Sequence, residues 1–307
     1  MGGPNKTLGM AMALAAALIG GGWQVATRHA TTSSIAAQDL VILRYGIPAL
    51  VLLPLLVRSG LLLPFKVVDP QRPARSWQSS LLLVCGAGLP FGFVAMSGSQ
   101  LAPASHMGVL MAGASPLIAA GLVWALWGEK PDRSRGWGLA LMLTGVLLLG
   151  AKSVADWTAD TWRGDLLFLL AAALWAVYTL SFRRSGLTPW QAAALVNFWS
   201  MVLVLIWVLA RGGTGLWQAP VLDVAWQALW QGLLAGVLGL WTYSVAIQHL
   251  GAAGAAAFGA LAPVVSALGG WFWLGDRITA LDGLAIAAAV VGVLLASGAM
   301  AGRVMHD

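Results

Sequence analysis

Arg44 is the only base that stands well inside a long apolar stretch of this sequence. Placing an arginine in hydrocarbon costs about 2.5–3.5 kcal/mol on insertion scales, so its guanidinium has to face a cavity or a partner. Two readings follow. Its five donors in a fixed fork suit the carboxylate of a small molecule, or they tie its helix to carbonyls at the end of a neighbour. The eleven acids, Asp39, Asp69, Glu129, Asp132, Asp156, Asp160, Asp165, Asp223, Asp276, Asp282 and Asp307, all fall in loops or at predicted helix ends. A carboxylate in the middle of an apolar helix can trade a proton for a cation. None is predicted there, which favours a neutral or zwitterionic ligand over a cation.

The histidines offer less. His106 and His249 lie near the ends of apolar runs, and Tyr243 is close to His249 in sequence. The plain reading of His106 is a lone interfacial side chain; a role in proton transfer is the sharper one. No His, Cys and acid spacing suggests a metal site, and no cofactor is implied. The single cysteine, Cys85, rules out a disulfide within the chain. G-x-S-x-G, H-E-x-x-H and paired carboxylates within the apolar runs are all missing, so an enzyme embedded in a membrane would lack its nucleophile, acids or metal ligands.

Pro116 and Pro263 sit near the centres of apolar runs and follow small residues, Ala112-Gly113-Ala114-Ser115 and Gly259-Ala260-Leu261-Ala262. Each removes a backbone donor and tends to kink its helix. The freed carbonyls could hold an ammonium group, or the prolines only shape packing. Deep aromatic residues are Phe91, Phe93, Trp175, Tyr178, Trp241, Tyr243 and Phe258. A buried Tyr O–H or Trp N–H needs a partner, which hydrocarbon does not offer, so these side chains are expected to face a cavity. Trp175 and Tyr178, three apart, share a helical face. Trp241 and Tyr243, two apart, do not, so one at most should line the centre. With Gln24, Arg44, Met111 and Ser115 these residues outline a pocket for an amino-acid head and a flat aromatic side chain.

Elements that position such a pocket are set by composition. Hydrophobic residues make up 59% and charged ones 9%, against roughly 25% charged in soluble domains. Ten runs approach the roughly 20 apolar residues that cross a bilayer as helix: 7–27, 36–57, 79–101, 105–127, 135–152, 164–183, 190–210, 227–249, 252–274 and 281–300. The first is read as a retained span rather than a cleaved signal. Most of the 17 tryptophans fall near predicted interfaces, where belts of such side chains sit. With the N-terminus inside, eleven Lys and Arg fall in inner segments (Lys6, Arg58, Lys66, Arg72, Arg75, Lys130, Arg133, Arg135, Arg183, Arg184 and Arg303) and five in outer ones. The positive-inside bias therefore places both termini in the cytoplasm. Loop topology also explains the net charge of +6 better than nucleic-acid binding does.

The chain repeats itself. Set Pro116 over Pro263, an offset of 147 residues, and Trp124 meets Trp271, Gly128 meets Gly275, Glu129 meets Asp276 and Lys130 meets Arg277. Gly145-Val146-Leu147-Leu148 then meets Gly292-Val293-Leu294-Leu295. Five spans per half make the second half enter from the opposite face. The expected fold class is therefore all-α integral membrane, ten transmembrane helices in a 5+5 inverted-topology repeat, with halves 1–152 and 153–307. Secondary transporters use this plan and bind near the midplane between halves.

The membrane proline, some twelve residues, then Gly-acid-base resembles the EamA-type repeat of the drug/metabolite transporter superfamily. LRYGIPALVLL at 43–53, GDLLFLLAAALWAVYTLSFRR at 164–184 and WTYSVAIQHLGAAGAAAFGALAP at 241–263 extend the likeness over nearly the whole chain. Two places depart from the family pattern: Gly21-Gly22-Trp23-Gln24 stands for a Trp-Gly-x-Asn-like segment, and Asp276 stands where Glu is commoner. The resemblance implies a multi-pass exporter in the bacterial cytoplasmic membrane, and overall likeness points toward amino-acid exporters with aromatic cargo. Another small metabolite or drug is the alternative. The implied partners are an amino acid and the lipid bilayer; nucleic acid is not among them, and no oligomer is required.

Overall fold

The computed structural model describes residues 5–62, 77–155 and 157–297. Among them there is no strand. The helices are α1 (Lys6–Thr32), α2 (Ala37–Arg58), α3 (Trp77–Ala87), α4 (Leu89–Leu101), α5 (Ala104–Trp127), α6 (Arg133–Ala155), α7 (Thr161–Ser185), α8 (Pro189–Arg211), α9 (Val221–Gln227), α10 (Leu240–Gly259), α11 (Leu261–Gly269) and α12 (Ala280–Ala296). Two π-helical segments, Ala228–Gly239 and Gly270–Leu274, continue α9 and α11. Among the described residues nine helical stretches are long and apolar enough to cross a membrane, counting Trp77–Leu101, Val221–Gly251 and Ala257–Leu274 as one each. With α12, of 17 residues, they make ten spans. Lys66, Asp69, Arg72, Arg75, Asp156, Arg303 and Asp307 lie outside the described residues, as do the last residues of the run 281–300.

Local chemistry sets the helix ends. Thr188 and Gln191 form a reciprocal capping box at α8, with Pro189 in its first turn, and Gly212 ends the helix at φ 80°. Thr279 and Asp282 do the same at α12. Each box satisfies two backbone donors that a helix start leaves unpaired. Gly251, at φ 73° and ψ 170°, turns the chain from the eighth span into the ninth, a conformation that a side chain disfavours.

Two spans differ from continuous α-helices. The third breaks at Gly88, where ψ is −149°. Pro90 has no N–H to donate into the preceding turn. The Tyr45 hydroxyl donates to the Gly88 carbonyl, which also accepts from the Gly92 N–H, and the Leu89 N–H donates to Ser200 Oγ at 3.0 Å. The eighth is π-helical over Ala228–Gly239, where it lies against α2. The link between halves is also shorter than the gap between the expected runs 135–152 and 164–183, because α6 runs to Ala155 and α7 begins at Thr161.

Packing follows small residues, as helix association without a hydrophobic drive requires. α6 runs along α12, where a Cβ on Gly138 would collide with the Ala296 nitrogen. α2 packs on α8, α5 on α11, α1 on α10, and α3 and α4 on α7.

Candidate functional site

A cavity of about 190 Å³ lies between the spans. That is below the roughly 300–1,000 Å³ of pockets for drug-sized ligands, so its fit is to a small metabolite. One side is made of small α1 residues, Ala13, Ala16, Ala17 and Gly20, which bring that helix close without filling the space. The others come from α5 (Met111, Ala112, Ser115, Pro116), α10 (Leu240, Tyr243, Ala255, Gly259), Ala262 of α11, and Ala235 and Gly239 of the π segment. Four rings stand along the wall: Trp23, Phe91, Trp175 and Tyr243. They form a chain, with centroids 5.9 Å apart from Trp23 to Phe91, 5.2 Å from Phe91 to Trp175 and 5.4 Å from Trp175 to Tyr243.

Arg44 reaches this cavity from α2 and is only 5% exposed. Its guanidinium carbon lies 5.8 Å from the centroid of Trp23 and 5.4 Å from that of Tyr45, within cation–π range. Among the described residues no acceptor reaches its Nε or Nη1, and Gln24 Oε1, also buried, has no donor. The carbonyls of a neighbouring helix end thus do not hold those two nitrogens. Pro116 and Pro263 withhold the N–H groups that Ala112 and Gly259 would accept in a regular helix. Both Ala112 and Gly259 line the cavity. The site therefore combines a fork of cationic donors and an amide oxygen with two wall residues, Ala112 and Gly259, that lack the N–H donor four positions on.

The side chains expected at the site separate into two groups. Gln24, Arg44, Phe91, Met111, Ser115, Trp175 and Tyr243 line the cavity, as does Pro116. Tyr178 is one layer behind, fully buried, its ring 5.2 Å from Trp175 and its oxygen 3.2 Å from Ser244 Oγ. Phe93 faces away at 38% exposure, against Trp207 of α8, because it is two positions past Phe91 on one helix. Trp241 stacks on Trp190 at 4.9 Å for the same reason, two positions before Tyr243. Phe258 packs in the apolar cluster beside Tyr178 and Phe182. Pro263 is buried near Gly108 of α5 rather than on the wall.

Two polar groupings escaped sequence reasoning. Trp23 Nε1 donates to Gln231 Oε1 at 2.6 Å; Gln231 Nε2 reaches Thr27 Oγ1 and Gln227 Oε1 at 3.0 and 3.1 Å; Gln227 Nε2 donates to the Ala26 carbonyl at 2.9 Å. This amide ladder fixes one cavity ring. Gln227 and Gln231 are four apart, the spacing of one helical face, and that was the available signal. The second grouping corrects the reading of His106 as a lone interfacial side chain. It is 2% exposed, with Nδ1 2.9 Å from Asp165 and Nε2 3.7 Å from Asp282.

A sequence profile of the EamA-like transporter family matches residues 7–151 and again 162–298. The chain belongs to the EamA-like transporter family. This EamA-like protein is 28% identical over 200 residues to an uncharacterized transporter, YwfM, of Bacillus subtilis, covering 62% of this chain and 64% of that one. It is 28% identical over 139 residues to protein LicB of Haemophilus influenzae, covering 42% and 45%. It thus spans less than two thirds of the length of either relative. A solved crystal structure is similar over 98% of this chain and 100% of its own, with a TM-score of 0.67 and 19% identity, which establishes the shared fold. The EamA-like chain is accordingly a multi-pass membrane protein of a small-molecule transporter family.

Proposed function

We propose that this EamA-like protein exports amino acids, aromatic ones foremost, across the bacterial cytoplasmic membrane by alternating access between two inverted five-span halves. The observation that carries the substrate is Arg44: a buried guanidinium whose Nε and Nη1 find no acceptor among the described residues, on the wall of a ring-lined cavity. A bidentate carboxylate suits that fork. Gln24 Oε1 and the carbonyls of Ala112 and Gly259 are acceptors of the kind an α-ammonium needs. The four rings suit a flat side chain through tilted and offset contacts.

The inverted repeat draws support from the paired profile matches and from helix packing. Span two packs on seven, four on nine and five on ten. Spans one and eight pack together, as do three and six, and these two pairs exchange when each half is replaced by the other. In this reading both termini are cytoplasmic, 1–152 and 153–307 are the halves, and Pro116 and Pro263 are equivalent kinks, the first on the cavity wall and the second packed behind it. The test is efflux of a radiolabelled amino-acid panel from proteoliposomes. Chemically unchanged tryptophan and phenylalanine should leave faster than from protein-free vesicles. Efflux confined to cargo without a carboxylate would overturn the substrate reading.

A further inference from the structure

Near the end of the bundle where α1 finishes, four helices meet in a buried group of charges that the cavity does not use. His106 of α5 lies between Asp165 of α7 and Asp282 of α12. Ser153 of α6 donates to Asp165 Oδ2, and Lys152 Nζ bonds both oxygens of Asp282 at 2.6 and 2.7 Å. The caps of α12 add the Thr279 hydroxyl to Asp282. Other charges facing this end are Asp276, which accepts from the Ala104 N–H, and Arg28 of α1, which donates to the Ser99 carbonyl. Solvent reaches the group through Lys152, with 33% of its side chain exposed, and Thr279 beside it.

Charge balance decides what the group holds. Two carboxylates and one ammonium leave a net negative charge if the imidazole is neutral. A buried net charge is costly, and a protonated His106 cancels it, with one N–H bonded to Asp165 and the other turned toward Asp282 at 3.7 Å. Lys152 already occupies Asp282, so the group is built for a proton rather than a metal ion. His106 also lies five residues, about one and a half turns, from Met111 on the cavity wall.

We infer that His106, with Asp165 and Asp282, is a proton-binding site that latches the two halves at this end, closed when protonated and opened when the proton leaves past Lys152. It joins α5 and α6 of one half to α7 and α12 of the other. The inference rests on the alternating-access reading, because opening that end must part these helices. One proton taken up on closure makes the closed-to-open ratio change by at most about tenfold per pH unit.

Two measurements on the full chain keep this inference separate from the choice of cargo. The first is nitrogen-15 histidine NMR in lipid nanodiscs, with the His106 signal assigned by its loss in His106→Gln. The ring should be doubly protonated at neutral pH, and in Asp165→Asn it should lose its proton at a lower pH than in wild type. A neutral wild-type ring at pH 7 overturns the site. The second is flux of radiolabelled L-tryptophan into proteoliposomes under an imposed pH step. Wild-type rates should change several-fold with the step, and the ratio should fall to about one in His106→Gln and Asp165→Asn. Tryptophan flux indifferent to the step in wild type overturns the coupling. If no tryptophan moves at all, the cargo assignment fails, and the NMR titration alone upholds or rejects the proton site.

Discussion

The indole N–H of Trp23 is bonded to Gln231 Oε1 at 2.6 Å across 208 positions of sequence. That contact fixes a cavity ring of the first span to the π segment of the eighth. Gln231→Leu should leave the indole without an acceptor and destabilise the protein by roughly 1–3 kcal/mol, the cost of a stranded buried donor. Adding Trp23→Phe should recover part of the loss, because an apolar pair strands less than a half-removed hydrogen bond. Thermal unfolding of both single variants and the double variant measures the coupling; strict additivity would mean the bond contributes nothing.

Arg44 should separate stability from transport. Arg44→Leu removes a buried guanidinium with unpartnered nitrogens, so its melting temperature should not drop below wild type. Amino-acid efflux should fall at least about tenfold, the loss of one charge-assisted contact of about 1.5 kcal/mol or more. Arg44→Lys should not restore it, since an ammonium lacks the planar fork. A large fall in melting temperature for Arg44→Leu would make the residue a structural tie.

Trp175 touches Phe91, Tyr178 and Tyr243 and stands on the cavity wall, with Tyr178 behind it. Trp175→Ala should reduce tryptophan and phenylalanine flux more than alanine flux, by about two- to tenfold per lost ring contact at 0.5–1.5 kcal/mol each. Tyr178→Ala should show the same preference more weakly. Equal losses for all three substrates would place the aromatic subsite elsewhere.

Gly138 and Gly292 set how closely α6 and α12 approach. A Cβ on Gly138 would lie 2.6 Å from the Gly292 carbonyl, and one on Gly292 would lie 2.7 Å from the Gly138 carbonyl. Gly138→Leu should force the two helices apart and lower the melting temperature by several degrees. Gly150→Ala on the same helix meets nothing within 4 Å and should be neutral or slightly stabilising, as alanine is the better helix former. Similar melting for both would separate α6–α12 packing from stability.

The ten spans were legible because each is a run of apolar residues bounded by charges, turns or small residues. Arg44 was legible because one charge in such a run admits few explanations, and Trp175 because its helical face could be read from spacing. Phe93 and Trp241 were not, since two residues apart on a helix point to different sides and hydropathy does not say which. The π segment was hidden because hydropathy averages over the change of hydrogen-bond register. The break at Gly88 carried a sign, Pro90, that an apolar window smooths away. His106, Asp165 and Asp282 each read singly as residues at helix ends. Only tertiary packing joins them, with 59 positions separating the first two.

The unpartnered nitrogens of Arg44 also offer a way to find cargo without measuring transport. A compound that covers them binds the folded protein and has no equivalent site on the unfolded chain. Saturation to 100 times its dissociation constant would add about 2.7 kcal/mol of stability. That amounts to several degrees of melting temperature in a chain of this size. A library of carboxylates ranked by thermal shift, with Arg44→Leu as the control that should not respond, would therefore rank substrates in detergent before any vesicle is made.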